Sequence, residues 1–277
     1  MTTHYTKLFY HMRIIALLTD FGHQDIFVGV MKAVMLRINP NLHIVDITHE
    51  VAPQAVRTAC LLLMHSYKYF PKDTIFVAVV DPGVGTTRKP ILIEADGYYF
   101  IGPDNGIFSF IHPDSITRIV WLTNDKYFLH PVSSTFHGRD IFAPVAAHLS
   151  KGTPVDDFGP RLDTIVRIEL PQPKQVGDKL IGEIIHVDRF GNLISNISED
   201  AFKSFIGNAG FELHVAGKVI TRLSPSYGEA KDGEIIALFD SFHMLEVSVK
   251  NSSCADALGA GIGTPIVIIR ITQPYSS

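Results

Sequence analysis

Cysteine is nearly absent from this chain, with Cys60 and Cys254 the only two in 277 residues. They lie too far apart to suggest a thiolate metal motif or a disulfide framework, and a reducing cytoplasm fits such usage. Basic residues are also scarce: 24 Lys and Arg stand against 28 Asp and Glu, for a formal net charge of -4. Without a basic cluster, the chain lacks the footprint of a nucleic-acid binder. No stretch approaches the length of a membrane span. The first twelve residues, Met1 to Met12, carry no continuous apolar run and read as a short extension rather than a signal peptide. Internal repeats and low-complexity tracts are missing too. What remains is 46% hydrophobic and 19% charged, the balance of a folded globular protein. Its length allows two domains, each with its own core.

The first half alternates strands with helices. A buried strand is expected over Ile14 to Thr19, then an apolar-periodic helix from near Asp25 stopped by Asn39-Pro40. A strand over Ile44 to Ile47, helical character over Pro53 to Tyr69 and a strand over Ile75 to Val80 follow. Runs without strict polar alternation indicate a mainly parallel sheet covered by helices on both faces, a Rossmann-like α/β domain over 13–171. A hairpin, Ile91 to Ala95 and Tyr98 to Ile101 turned by Asp96-Gly97, interrupts the rhythm before a strand near Ile119 to Leu122. The last helix spans about Arg139 to Ser150, with Gly152 as its stop. Leu170 to Gly177, rich in Pro and Gln, reads as a linker. Beyond it, short strands over Leu180 to Val187, Leu193 to Asn196, Phe211 to Val215, Ile235 to Leu238, Leu245 to Val249 and Ile266 to Ile271 show little helical period. They predict a compact antiparallel β domain, barrel or sandwich, over 178–277.

Three carboxylates stand at or near the C-terminal ends of the first parallel strands: Asp20, Asp46 and Asp81. Ligands of open α/β sheets bind beyond that edge. Asp46, followed by further apolar-compatible residues, reads as structural. Asp81 opens Asp-Pro-Gly-Val-Gly-Thr-Thr-Arg88, a rigid turn whose glycines let a ligand approach the backbone. It is not a phosphate loop, since Lys89-Pro90 leads into a strand rather than a helix. His137 lies just before a helix, where the dipole favours a neutral imidazole. Asp20, His23, Asp25, Asp81 and His137 could be grouped as metal ligands, but no metal-binding spacing such as His-Glu-x-x-His supports it. Gly259-Ala-Gly-Ile-Gly263 precedes a strand instead of following one, so a turn explains it better than a dinucleotide fingerprint.

Taken in order, Thr19-Asp20-Phe21-Gly22 with Asp25, Asp81 to Gly85 with Arg88, Gly102-Pro-Asp-Asn-Gly106, Phe136-His-Gly-Arg-Asp140 and Asp188-Arg-Phe-Gly-Asn192 form a recognisable series. The chain resembles the S-adenosylmethionine hydroxide adenosyltransferase family, relatives of the fluorinase and chlorinase enzymes, from about Ile14 to Ile271. The resemblance implies a catalytic Asp81, Arg88 and His137. It implies ribose binding by Asp20, and methionine binding by Asp25, Asp188 and Ser241. Phe190, Asn192 and Asn251 would form the adenine pocket, although Lys250-Asn-Ser-Ser-Cys254 departs from the family's Gly- and Ala-rich run there. It also implies a homotrimer with sites between subunits, no metal, and no cofactor beside the substrate, S-adenosyl-L-methionine.

The expected reaction is attack of a water-derived oxygen on C5′, releasing adenosine and L-methionine. A sulfonium leaves as a neutral thioether and needs no general acid, so the difficulty lies in the nucleophile. Making hydroxide near neutral pH from water of pKa about 15.7 costs about 12 kcal/mol. Arg88 can hold the developing anion, with either Asp81 or His137 taking the proton. Halogenating relatives carry aromatic and small hydroxyl residues where this chain has Asp81 and His137-Gly138, and fluorinases insert a longer loop after the turn. A halide-using enzyme of the same scaffold and a non-catalytic adenosylmethionine or adenosine sensor are the two alternatives.

Overall fold

The computed structural model describes residues 13–271, so the expected N-terminal extension lies outside the described residues. The chain divides into two compact units, one ending at Leu170 and the other beginning at Pro171.

The first unit runs β1 (Ile14–Thr19), α1 (Phe27–Ile38), β2 (His43–Thr48), α2 (Val56–Ser66), β3 (Ile75–Val79), β4 (Pro90–Ala95), β5 (Tyr98–Pro103), β6 (Ile116–Trp121) and α3 (Ala143–Ser150). Its six strands lie in the order β2-β1-β3-β5-β4-β6. The first four are parallel and β4 is antiparallel to both neighbours. Alternation along the buried strands explains why two helical layers form. Ile15 and Leu17, with Ile75 and Val77, pack against Met31, Met35, Ala143 and Ala147 of α1 and α3. Ala16 and Leu18, with Phe76 and Ala78, pack against Ala59 and Leu63 of α2 on the opposite face. The Asp96-Gly97 turn between β4 and β5 takes positive φ at both residues, 52° and 73°, as a two-residue hairpin of type I′ requires.

Two helix starts come later than the apolar pattern suggests. Helix α1 begins at Phe27 rather than Asp25, after a turn in which Gly22 has φ 65°. Helix α2 begins at Val56 because Gln54, at φ 66°, is in the left-handed region and breaks the helical path.

The second unit is an eight-stranded antiparallel sheet, nearly closed like a barrel. It contains β7 (Lys174–Val176), β8 (Lys179–Val187), β9 (Leu193–Ser198), α4 (Glu199–Ile206), β10 (Gly210–Val215), β11 (Lys218–Ile220), β12 (Ile235–Phe239), β13 (Met244–Val249), α5 (Cys254–Leu258) and β14 (Pro265–Ile271). Part of the stretch expected as linker is therefore a strand: β7 pairs with β8 through the Asp178 turn. Two helices also correct the all-strand expectation. In α4, Ser198 caps the Ala201 N–H, and Phe202, Phe205 and Ile206 bury one face at helical spacing. In α5, Ser253 caps Asp256, and Gly259 ends the helix in the left-handed conformation. That role accounts for the first glycine of the Gly259 to Gly263 run.

Candidate active site

Strands β1 and β3 are parallel neighbours with Thr19 opposite Val79. Asp20 and Asp81, just beyond them, therefore emerge at one edge of the first unit. The Asp81 turn folds back so that Arg88, two residues before β4, reaches the Asp81 carboxylate. Arg88 Nε donates to Oδ1 at 3.1 Å and Nη2 donates to Oδ2, a bidentate pair. Both side chains are almost fully buried, 6% and 5% exposed.

Arg88 Nη2 also lies 3.1 Å from His137 Nδ1. A guanidinium can only donate, so Nδ1 is the acceptor and the His137 proton sits on Nε2. The imidazole is neutral. Burial holds its pKa below the ordinary value, with the Arg88 charge second. His137 also stands where the sequence places it, at the start of a short π-helical turn, Gly138–Phe142, leading into α3. Arg88 Nη1 is buried and, among the described residues, has no hydrogen-bond partner. One strong donor is thus left beside the pair.

A cavity of about 400 Å³ opens here, its wall including Asp20, Phe21, Phe27, Gln54, Asp81 and His137. Arg88 is not in that wall; it reaches the cavity through the two residues it binds. Phe21, Phe27 and Phe136 pack edge to face or tilted, 5.3–5.7 Å between centroids, giving one apolar side. Asp20 Oδ2 accepts the Gln54 backbone N–H at 2.8 Å. Asp25 is exposed and lies outside the wall. Asp46 is ion-paired to Lys32 at 2.6 Å on the exposed side of β2.

The Gly102 to Gly106 motif proves to be a brace. Asn105 Nδ2 donates to Val80 O at 2.8 Å, just ahead of Asp81, and a Cβ on Gly102 would lie 2.3 Å from Ala78 O. The loop before His137 is held by Asp140, fully buried, whose carboxylate accepts the Ser133 N–H at 2.8 Å and pairs with Arg139.

The second unit holds a separate cavity of about 560 Å³, lined by Asp188, Phe190, Asn192, Tyr227, Asn251 and neighbours. Asp188 accepts from Phe190 N, Asn192 N and Asn192 Nδ2 at 2.8–2.9 Å, tying the β8–β9 turn into one shape. The Phe190 ring is left 77% exposed on that turn. Asn251, at φ 58°, donates to Asp232 at 2.7 Å. Ser241 is exposed on the β12–β13 turn and is not in the wall. Sequence reading passed over Tyr227 and Glu246. The Tyr227 hydroxyl donates to Glu246 Oε1 at 2.7 Å, and Ser248 donates to the same oxygen. Burial pushes both the Glu246 carboxyl and the Tyr227 phenol up. A lone Glu inside Met-Leu-Glu-Val-Ser-Val was the available signal.

Family models described as SAM hydroxide adenosyltransferase N-terminal domain and C-terminal domain match residues 15–159 and 182–267. The (R)-S-adenosyl-L-methionine hydrolase of Salinispora tropica is 36% identical over 262 residues, covering 93% of this chain and 97% of its own. A fluorinase of Actinoplanes sp. is more distant, 30% identical over 70% of this chain and 75% of its own. Among solved structures, an uncharacterized conserved protein from Thermotoga maritima superposes with a TM-score of 0.87 at 38% identity, covering 92% of this chain and all of that one.

Proposed function

The chain belongs to the SAM hydroxide adenosyltransferase family, and from that premise we propose that it hydrolyses S-adenosyl-L-methionine to adenosine and L-methionine. The observation that carries the residue assignment is the buried Asp81–Arg88 pair bonded to half-buried His137 at the edge of one cavity. Water attacks C5′: the new O–C5′ bond forms as the C5′–S bond breaks, and its electron pair leaves with sulfur as the neutral thioether of methionine. The His137 Nδ1 lone pair is occupied by Arg88 and its Nε2 carries the proton, so Asp81 is assigned as proton acceptor. His137, in the cavity wall, offers its Nε2–H to the oxygen as it becomes anionic, while Arg88, outside the wall, fixes Asp81 and His137 in place. The reading calls on no metal and no cofactor. Among the described residues, no group of three or more His, Cys, Asp or Glu side chains could hold a metal ion.

Asp20 is assigned to the ribose hydroxyls. Asp25, Asp188 and Ser241 are assigned to the methionine ammonium and carboxylate, and Phe190, Asn192 and Asn251 to adenine. A homotrimer with sites between subunits is the assembly that the family resemblance implies. Two free, buried cysteines suit the cytoplasm. No helix among the described residues is long and apolar enough to cross a membrane.

Halide use is the less favoured reading, because the Asp81 carboxylate in the cavity wall repels chloride and fluoride. One experiment separates the two. Purified protein is incubated in oxygen-18 water with EDTA and each sulfonium epimer of the substrate, since the Salinispora relative is named for the (R) form. Adenosine labelled at its 5′-oxygen is expected by chromatography and mass spectrometry. Unlabelled adenosine refutes direct attack by water, and a 5′-halo product formed with added chloride or fluoride transfers the chain to the halogenating reading.

A pH consequence follows from His137. Its pKa is lowered, so the neutral form persists to more acidic pH than an ordinary imidazole allows. The acid limb of kcat/KM is expected to fall below about pH 6.5. A limb at or above that value would contradict a half-buried, Arg88-bonded His137.

A further inference from the structure

From contacts behind the cavity we infer that His49 is a positioning residue for the substrate, holding Asp20 and Phe21 in place through the Thr19 hydroxyl; this rests on the ribose-binding assignment of Asp20. The His49 side chain is fully buried and lies outside the cavity wall. Its Nδ1 is 2.8 Å from Thr19 Oγ1, and Thr19 is itself fully buried at the end of β1. The Phe21 N–H donates to the same hydroxyl oxygen at 3.2 Å, leaving the hydroxyl proton for Nδ1. His49 O accepts the Gly22 N–H at 2.8 Å. One residue therefore grips the Thr19 to Gly22 turn by side chain and by backbone, and two residues of that turn, Asp20 and Phe21, are cavity wall.

Besides Thr19, His49 faces a carboxylate, a second imidazole and the lysine that holds that carboxylate. Nε2 stands 3.1 Å from Asp46 Oδ1, so the ring lies between Thr19 on one side and the Asp46 carboxylate on the other. His23 meets the ring edge to face at 5.0 Å, and Lys32 holds the other Asp46 oxygen. A buried polar pair costs stability unless it is bonded, and Val with Leu would fill the same space at lower cost. What Thr and His add is direction: a hydroxyl fixed from both sides sets the turn that starts at its own residue. On the far side, Asp20 is met by the Gln54 N–H, which faces it because Gln54 holds a left-handed backbone. Asp20 is thereby held between β1 and the approach to α2.

The test measures KM and kcat for S-adenosyl-L-methionine in wild type, His49→Leu, His49→Asn, Thr19→Val, Asp20→Asn and the His49→Leu/Asp20→Asn pair. Loss of the Thr19–His49 bond is expected to raise KM about tenfold with kcat within about twofold. Asn retains an acceptor near the position of Nδ1 and should restore KM to within about threefold of wild type. In the Asp20→Asn background, His49→Leu should change KM by less than about twofold, because the residue it positions is already altered. An unchanged KM in His49→Leu, or the same factor in both backgrounds, overturns the inference. If His49→Leu does not fold, Thr19→Val breaks the same bond from the other side and decides. Wild type that neither consumes the substrate nor binds adenosine by calorimetry refutes the functional reading itself. Wild type that does both while the variants match it refutes only the role of His49.

Discussion

Replacing Arg88 with Met is expected to lower turnover by about 10² to 10³-fold and to cost about 3–5 kcal/mol of stability. The two losses have different origins. Turnover falls because Arg88 holds the Asp81 carboxylate and His137 in one geometry. Stability falls because Asp81, 5% exposed at its side chain, is left as a buried charge without its cation. A second variant separates them. In Asp81→Leu/Arg88→Met the orphaned charge is gone, so denaturant unfolding should recover most of the lost stability while turnover stays at the floor. Lys in place of Arg88 should not rescue turnover, because an ammonium cannot hold both carboxylate oxygens and His137 Nδ1 with one planar fork. An Arg88→Met variant with turnover near wild type would remove Arg88 from the chemistry.

Gly85→Ala is expected to lower turnover by about 10²-fold without touching any ionisable group. Gly85 has φ 75°, and a Cβ there would lie 2.3 Å from Ser134 O. Left-handed backbone costs an L side chain about 1–2 kcal/mol, and a backbone carbonyl cannot swing away as a side chain can. The clash must be relieved by moving the Asp81 turn and the 133–135 loop apart. Those two segments carry Asp81 and Arg88 on one side and His137 on the other, so their separation loosens the Arg88–His137 contact of 3.1 Å. A misplacement of this size is enough to spoil an in-line attack. Gly152→Ala is the control: that glycine has φ 91° but open space for a Cβ, so it bears strain without the clash. Unfolding and turnover measured on both variants check the difference; equal turnover losses would show that strain alone, not the contact with Ser134, is responsible.

The layers of the first unit were legible because its strands are continuous apolar runs, and Asp20 and Asp81 were legible as the first polar residues after them. In the second unit, short α4 and α5 were hidden among strands. Their caps, Ser198 and Ser253, are visible in the sequence, but five to eight residues give too few turns for a periodic signal. Gln54 left no trace either, since its left-handed backbone is imposed by neighbours and not by residue type.

By itself the sequence determined the alternation that builds a two-faced sheet and the identities of the side chains that can do acid, base and cation chemistry. Those are local properties of spacing and residue type. Only the tertiary structure decided that Arg88 stands out of the cavity wall, that His137 accepts rather than donates at Nδ1, and that Thr19 and His49 share one buried hydrogen bond. Each of these depends on atoms far apart in the chain meeting within about 3 Å, a distance set by packing of whole elements and unreadable from any window of residues.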